Sequence, residues 1–199
     1  KTKHISVVYA CKDRISNLYR SVCSIISNEH INEIIIVDWN SQECVHSYLK
    51  RSLPVEHFKK IRVIKNITKT PWSLSRAYNI GLIQVENKNI LKLDCDNIIT
   101  DHKMLIDTLL SYDTTKSFYS YDYRTAKNDN DRHLNGVMYF SKKALDTCGY
   151  FDHRIVFYGW DDEDLKYRLS KRYAYKHLPP DSIRHIESHD SARVGNQGN

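Results

Sequence analysis

The stretch ILKLDCDN, residues 90–97, begins as an apolar strand pattern and ends with Asp94 and Asp96, one residue apart. Two carboxylates at the end of a strand can converge on a divalent cation, and that cation can hold a diphosphate. Turn chemistry would explain the same letters, because Asp and Asn are common turn residues. An isolated Asp-x-Asp pattern is therefore weak evidence, and its meaning depends on the strands and helices around it.

Strand patterns alternate with helix patterns through the first half of the chain. The strand patterns lie at residues 5–9, 33–38, 60–64 and 89–94, and the helix patterns between them at about 15–26, 42–52 and 73–85. Connections of this length predict β-α-β units and an α/β fold with a mostly parallel central sheet flanked by helices. Ligands of such sheets bind beyond the carboxyl ends of the strands, where Asp38, Asp94 and Asp96 all fall.

Length and composition limit the possible classes of protein. The 199 residues, 41% of them hydrophobic, predict one globular domain, although the lysine start and the ending VGNQGN also fit a piece of a longer protein. No apolar run reaches the roughly 18 residues that a membrane-spanning helix needs. Five cysteines without metal-ligand spacing argue against a disulfide framework and a zinc site, and predict a reducing, cytoplasmic location. The net charge of +6 suits an anionic ligand but lacks the clustered basic stripe of a nucleic-acid-binding surface.

A second acidic cluster occurs late in the chain. Residues 135–152 predict a strand and then a helix that Gly149 ends, and four consecutive acids, Asp161 to Asp164, follow Trp160 at the start of another helix. The helix dipole favours acids at this position, but four in a row exceed what capping requires, because like charges raise each other's pKa. Such a carboxylate beside a tryptophan ring is suited to accept a proton from a sugar hydroxyl.

The order of these segments resembles the GT-A glycosyltransferases. It is similar to family-2-like inverting enzymes, with a C-terminal motif of the galactosyltransferase and chondroitin-polymerase type. The segments that carry the resemblance, between residue 5 and about residue 190, are SVVYACKDR, EIIIVDWNS, WSLSRAYNIGL, LKLDCDN, NGVMYFSKKALDTCGYFD, YGWDDEDLKYRL and SIRH.

The resemblance implies a Rossmann-like GT-A fold in one domain spanning residues 1–199. The nucleotide-binding part would lie at about residues 1–100 and the acceptor-binding part at about 101–199. It further implies a metal-dependent enzyme that moves a hexose or N-acetylhexosamine from a UDP-sugar to a hydroxyl of a glycan or glycoconjugate, inverting the anomeric centre. The identities of the donor sugar, the acceptor and the linkage stay open, since a few hydrogen bonds in the pocket decide them.

The same resemblance assigns a set of residues to the nucleotide-sugar. The first strand-helix turn would lie against the nucleotide, Asp38 would read the uracil or ribose, and Trp160 would orient the donor or acceptor ring. The full set is Ala10, Lys12, Arg14, Asp38, Asn40, Arg76, Asn79, Lys92, Asp94, Cys95, Asp96 and Trp160.

The catalytic residues implied by the resemblance are Asp161, Asp162, Glu163 and Asp164. A register anchored at Arg168 in the helix makes Asp162 the general base, with Asp161 hydrogen-bonded to the acceptor. A register counted from the preceding Gly-Trp pair makes Asp164 the base instead, so both alternatives remain. The aromatic segment between Phe151 and Trp160 is a candidate lid over bound donor.

The implied metal ligands are Asp94, Asp96 and His185, with His189 as the alternative to His185. A set that mixes oxygen and imidazole ligands favours Mn2+ over Mg2+. Two other classes compete with a glycosyltransferase. A nucleotidyltransferase usually carries a glycine-rich phosphate loop, which YACKDR lacks. A nucleotide-sugar-binding module without transfer activity is the second alternative, because a fold alone does not establish activity.

Overall fold

A computed structural model describes residues 3–68, 70–155, 160–179 and 181–186. The strands are β1 (Ile5–Cys11), β2 (Ile31–Asp38), β3 (Ile61–Lys65), β4 (Asn89–Lys92), β5 (Asn97–Ile99), β6 (Ser117–Ser120), β7 (Met138–Ser141), β8 (Ala174–His177) and β9 (Ile183–His185). The helices are α1 (Ile15–Cys23), α2 (Val45–Ser52), α3 (Val55–Phe58), α4 (Leu74–Ile83), α5 (His102–Ser111), α6 (Lys142–Cys148) and α7 (Trp160–Ser170). Two 3-10 segments span Tyr123–Thr125 and Asn130–Gly136.

Seven strands form the central sheet in the order β3-β2-β1-β4-β7-β6-β8. The first four are parallel to one another, and β7 then joins β4 in the antiparallel sense. A separate ribbon pairs β5 with β9, so that Asn97 lies opposite His185. The predicted α/β fold with a mostly parallel central sheet is therefore confirmed.

Helices cover both faces of the sheet. One face packs against α1, α2 and α5, which contribute Leu18, Leu49 and Leu105 to the core, and the other face packs against α4, α6 and α7. Every residue of β1 is buried, as expected for a parallel strand with helices on both sides. Along the part of the chain that the structure describes, none of the helices combines the length and apolarity needed to span a bilayer.

Local sequence signals set several of the helix ends. Ser73 caps α4 by accepting a hydrogen bond from the Arg76 amide, and Gly149 ends α6 with a φ of +82°. The predicted helix at 42–52 begins only at Val45, and Pro54 separates it from the short α3.

The parallel arrangement determines where the acidic residues lie. Because β1, β2 and β4 run side by side in the same direction, their carboxyl ends meet at one edge of the sheet. Asp38 is the last residue of β2, and Asp94 and Asp96 lie in the turn between β4 and β5. Helix α7 begins with its acidic cluster against the same edge, as the contacts of Lys92 establish.

Candidate active site

A fully buried lysine joins the two acidic clusters. Lys92 Nζ lies 3.2 Å from Asp94 Oδ1 and 3.2 Å from Asp162 Oδ1, and it donates a hydrogen bond of 2.8 Å to the Gly136 carbonyl. The same ammonium lies 4.2 Å from the centre of the Tyr78 ring. A buried charge is tolerated only when it is paired and hydrogen-bonded. These contacts therefore hold β4, α7 and the 3-10 segment Asn130–Gly136 together around one cation.

Gly136 allows the two carboxylates to approach each other. A Cβ at this position would lie 3.1 Å from both Lys92 Nζ and Asp162 Oδ2, and closer still to Asp94 Oδ2. The charged ends of these three side chains fill the place where any other residue would put its Cβ. The glycine is therefore required by the close packing at the junction of the two clusters.

Burial raises the pKa of both acids that begin α7. The pKa of Asp161 rises to about 7, first because its carboxyl is buried and second because Asp162 is charged beside it. Burial also raises the pKa of Asp162, although Lys92 opposes this effect. Burial lowers the pKa of Lys92, but the charges of Asp162 and Asp94 outweigh burial, so the lysine stays protonated. A carboxylate whose pKa lies near neutral pH, beside a fixed cation, is suited to proton transfer.

The other two acids of the cluster have different partners. Asp164 Oδ2 accepts hydrogen bonds from Arg168 at 2.8 and 2.6 Å, and Arg168 also donates to the carbonyls of Cys148, Gly149 and Tyr150. Asp164 thus fixes the Arg168 side chain at the end of α6. Glu163 accepts from Asn135 Nδ2 at 2.9 Å, on another side of α7. Of the two candidate bases, only Asp162 contacts the lysine that also holds Asp94.

Asp96 and His185 lie together at the second end of the site. Asp96 Oδ2 accepts from Arg14 Nη1 at 2.8 Å and is 3.2 Å from His185 Nε2. The opposite ring nitrogen, His185 Nδ1, is 2.7 Å from Asn130 Oδ1, which can only accept, so Nδ1 carries the proton. The other ring nitrogen, Nε2, faces the Asp96 carboxylate. Such a nitrogen-oxygen pair fits a divalent transition metal such as Mn2+.

Asp94, the third predicted metal ligand, has other partners. Its Oδ1 accepts from the Tyr78 hydroxyl at 2.5 Å and from Lys92, while its backbone N–H donates to Asn97 Oδ1 at 2.7 Å. Within residues 3–68, 70–155, 160–179 and 181–186, no three His, Cys, Asp or Glu side chains gather as a metal site. The ligand set of Asp94, Asp96 and His185 therefore stays a prediction, and His189 lies outside the described residues.

Hydrogen bonds join the turns that follow β1 and β2, near the predicted nucleotide site. Asp38 is buried and accepts from the Ser41 amide at 2.9 Å, and Asn40 has a φ of +54°. Asp13 donates its backbone N–H to the Ser41 hydroxyl, which joins the turn after β1 to the turn after β2. Lys12, which directly precedes Asp13, is half-buried.

The remaining predicted donor residues divide into buried and exposed ones. The Cys95 thiol is buried and donates to the Ala10 carbonyl at 3.1 Å, so it ties the Asp-Cys-Asp turn to β1. Arg76 is exposed, and Trp160 is 70% exposed at the start of α7. The ammonium of Lys92 is buried and contacts the two carboxylates, and its predicted role in binding the nucleotide-sugar stays a prediction.

Asn79 holds the beginning of the predicted lid segment. Its amide donates to the Phe151 carbonyl at 2.8 Å and accepts from the Phe151 amide at 2.9 Å, and it also donates to His153 Nε2 at 2.6 Å. The segment continues to Ile155, and residues 156–159 lie outside the described residues. Asn79 therefore links α4 to this segment, and its role as a donor-binding residue stays a prediction.

Sequence reasoning did not single out Tyr78, Gly136, Asn97 or Asn130. Tyr78 reads as a core position of a predicted helix, and its hydroxyl contact with Asp94 depends on how α4 packs. Gly136 had the clearest signal, because a glycine directly before a buried strand pattern often marks a close approach of backbone to another group.

Solved structures of the same fold include a mannosyltransferase and a protein bound to a UDP-sugar. The mannosyltransferase PcManGT from Pyrobaculum calidifontis, in complex with GDP-Man and Mn2+, is 14% identical, with a TM-score of 0.71 over 91% of this chain and 56% of its own. S. aureus TarS (residues 1–349) in complex with UDP-GlcNAc is 14% identical, with a TM-score of 0.70 over 94% of this chain and 59% of its own. The chain thus spans less than two thirds of these proteins, and at this identity the likeness concerns the fold.

Sequence comparison gives a family for nearly the whole chain. No curated protein matches it significantly. The sequence model described as Glycosyl transferase family 2, however, matches residues 6–177, which include both acidic clusters and Lys92 between them. Because the match covers most of the 199 residues, this chain belongs to glycosyl transferase family 2.

Proposed function

We propose that this chain transfers a hexose or N-acetylhexosamine from a UDP-sugar to a hydroxyl of a glycan or glycoconjugate acceptor. One observation carries the proposal: Lys92 lies 3.2 Å from Asp94 in the Asp-Cys-Asp turn and 3.2 Å from Asp162 in the second acidic cluster. A donor held by the first cluster would therefore have a proton-accepting carboxylate beside it. Family membership favours this function over the nucleotidyltransferase alternative.

Asp162 is the general base of the proposed reaction. It would take the proton from the acceptor hydroxyl as the oxygen attacks the anomeric carbon, so that one displacement inverts the configuration. Lys92 keeps a positive charge beside Asp162, which favours the ionised form needed to accept a proton. Asp161, with its pKa near neutrality, would hydrogen-bond the acceptor. The hydrogen bonds of Asp164 to Arg168 favour Asp162 over Asp164 for this role.

A divalent cation, Mn2+ in the first instance, belongs to the proposal. Asp96 and His185 would hold it, with Asp94 as the third ligand. When bound, the cation supplies positive charge against the charge that develops on the departing diphosphate. Arg14, at 2.8 Å from Asp96, adds a guanidinium suited to bidentate contact with phosphate oxygens.

The two parts of the chain would divide the substrates. Residues 1–100 contribute the turns after β1, β2 and β4, and these would bind the nucleotide; residues 101–199 contribute α7 and the 3-10 segment, and these would bind the acceptor. Trp160, exposed at the start of α7, offers a ring face for a sugar. Closure of the segment that follows Phe151 would exclude water from the donor.

The decisive experiment screens nucleotide-sugars for hydrolysis and binding in the presence of Mn2+. We expect wild-type protein to hydrolyse a UDP-sugar slowly, Asp96→Ala to lose donor binding, and Asp162→Asn to retain binding while its turnover falls by about 100-fold or more, as for loss of a general base. Lys103→Met, an exposed change on α5, serves as the control and should behave as wild type.

Each other outcome points to a different function. Tight UDP-sugar binding by wild-type protein, without hydrolysis or transfer to any acceptor, would support a binding module. Equal turnover of Asp162→Asn and wild type would reject Asp162 as the base, and full loss of turnover in Asp164→Asn with an intact fold would favour the other register.

A further inference from the structure

A groove beside α7 is lined in part by Glu163, the residue that follows the proposed base in the sequence. It has a volume of about 230 Å³ and is bounded by β6, β8, α7 and the 3-10 turn Tyr123–Thr125. Glu163, in its wall, directly follows Asp162, and Asn135 directly precedes Gly136. We propose that the groove binds one neutral sugar ring of the acceptor glycan, an inference that rests on the proposed transfer to a glycan.

Aromatic rings form the floor and part of the rim. Phe118 is buried and stacks on Tyr175, with ring centres 5.2 Å apart and planes 19° apart. Tyr123 and Tyr167, at the rim, leave 39% and 62% of their surface exposed. Exposed tyrosines combine an apolar ring face with a hydroxyl, and a sugar ring presents the complementary C–H face with a polar edge.

A hydrogen-bonded wall supplies fixed polar groups. Lys166 Nζ donates to Asn135 Oδ1 at 2.6 Å and to Glu163 Oε1 at 3.3 Å, while Asn135 Nδ2 donates to Glu163 Oε1 at 2.9 Å. An ammonium has three N–H donors, so these contacts leave Lys166 one more to give. Because the three side chains already hold one another, little conformational entropy is lost when a sugar hydroxyl binds them.

The charged side chains that line the groove form two ion pairs. Arg124 Nε donates to Asp122 Oδ1 at 2.9 Å, and Lys166 pairs with Glu163. A carboxylate or phosphate on the ligand would have to break one of these pairs and would meet the remaining carboxylate. Neutral hydroxyls and amides can bind without doing so, which favours an uncharged ring over a uronate or a phosphorylated sugar.

The volume limits the occupant to one ring. Sites for drug-sized ligands typically measure about 300–1,000 Å³, and this groove is smaller than that range. Because Lys166, in the groove wall, lies close enough to Asp162 for their charges to interact, the ring in the groove would be the neighbour of the sugar that carries the attacked hydroxyl. The acceptor would then be an oligosaccharide or a glycoside with at least two rings.

Direct sugar binding tests this inference without any turnover. Saturation-transfer NMR would compare methyl β-glucoside, methyl β-galactoside, methyl β-N-acetylglucosaminide and methyl β-glucuronide at millimolar concentration. We expect at least one neutral glycoside to bind wild-type protein, and its affinity to fall about tenfold in Tyr167→Ala, the loss of one aromatic contact. Tyr123→Ala should weaken binding as well, and Met104→Ala, an exposed apolar change on α5, should not.

Three results would overturn the groove assignment: no neutral glycoside binds, glucuronide binds more tightly than the neutral sugars, or Tyr167→Ala and Tyr123→Ala both bind as wild type. Circular dichroism of each variant excludes a folding defect as the cause of a loss. Sugar binding that depends on Tyr167, in a protein that neither hydrolyses a nucleotide-sugar nor transfers its sugar to any acceptor, would refute the proposed transfer and leave the groove assignment intact. Donor hydrolysis without binding of any glycoside would refute the groove assignment and leave the proposed transfer standing.

Discussion

Lys92 is the residue that most constrains the site. It is fully buried, and its nearest charged partners come from the turn after β4 and from α7. Removing an ammonium from water carries a large desolvation cost, which here is offset by two carboxylates and one backbone carbonyl. If the ammonium were replaced by an apolar group, Asp94 and Asp162 would share a buried region without a cation between them.

We expect Lys92→Met to lower the free energy of unfolding by about 3–5 kcal/mol, the usual effect of breaking a buried ion pair. Urea unfolding followed by circular dichroism measures it. Lys103→Met makes the same chemical change at an exposed position of α5 and should stay within about 0.5 kcal/mol of wild type. Equal stability of the two variants would contradict the structural role of Lys92.

Asp161 gives a pH dependence whose sign follows from its raised pKa of about 7. Between the ordinary value near 4 and about 7, the folded protein holds a proton that the unfolded chain has lost, so unfolding becomes easier as pH rises. The stability attributable to this group is present below about pH 4 and is lost once pH passes 7. The physical cause is burial of the carboxyl, followed by the charge of Asp162.

Asp161→Asn removes this titration while keeping the shape of the side chain. We expect the stability of the variant relative to wild type to increase between pH 4 and pH 7 and to stay constant above pH 7. Part of the gain comes from removing the repulsion between the charges of Asp161 and Asp162. Melting temperatures of both proteins at half-unit pH steps provide the test, and a difference that does not vary with pH would show that folding does not raise the pKa of Asp161.

At the scale of elements, α4 is positioned by the absence of a side chain at Gly81. A Cβ there would lie 2.8 Å from Val8 Cγ1 in β1 and 3.2 Å from Val37 Cγ2 in β2. The close packing brings Tyr78, one turn earlier, within 2.5 Å of Asp94. A shift of the helix would therefore also displace a partner of the Asp-Cys-Asp turn.

We expect Gly81→Ala to destabilise the protein by about 1–2 kcal/mol, since overpacking outweighs the better helix propensity of alanine. In a Val8→Ala background the nearest clashing methyl group is gone, so the same substitution should cost less. The double-mutant cycle isolates this coupling. Additive effects of the two substitutions would mean that α4 moves away from the sheet without resistance.

At the scale of the whole molecule, the proposed metal pair joins distant parts of the chain. The β5–β9 ribbon places His185 opposite Asn97, and the Ile186 amide donates to the Asp96 carbonyl at 2.7 Å. A ligand that binds both Asp96 and His185 would stabilise the contact between these segments, and therefore the folded state.

We expect UDP together with Mn2+ to raise the melting temperature, with EDTA reversing the increase. The gain would correspond to about 2.7 kcal/mol at a ligand concentration 100 times the dissociation constant. His185→Ala should abolish most of the shift, and His57→Ala on α3 should retain it. A full shift in His185→Ala would remove His185 from the ligand set, and GDP acting as well as UDP would argue against uridine recognition.

Local patterns in the sequence predict much of the fold. The alternation of apolar runs and helical periodicity predicts the α/β sheet, Ser73 predicts the start of α4, and Gly149 predicts the end of α6, each in agreement with the structure. These features depend on residues close together in the chain, which is why a single sequence contains them. The position of the acidic turn after β4 follows for the same reason.

The sequence by itself determined the class of fold and the two acidic clusters, because the hydrophobic period and the local charge depend only on residues that are close together in the chain. Only the tertiary structure decided which groups meet: that Lys92 lies between Asp94 and Asp162, that Gly136 makes room for them, and that Asp164 pairs with Arg168. A helical or strand period indicates that a side chain is buried but does not identify its partner. The partner depends on the pairing of β4 with β7, which joins residues about 50 positions apart, and on the packing of α7, which joins Lys92 to a residue 70 positions later.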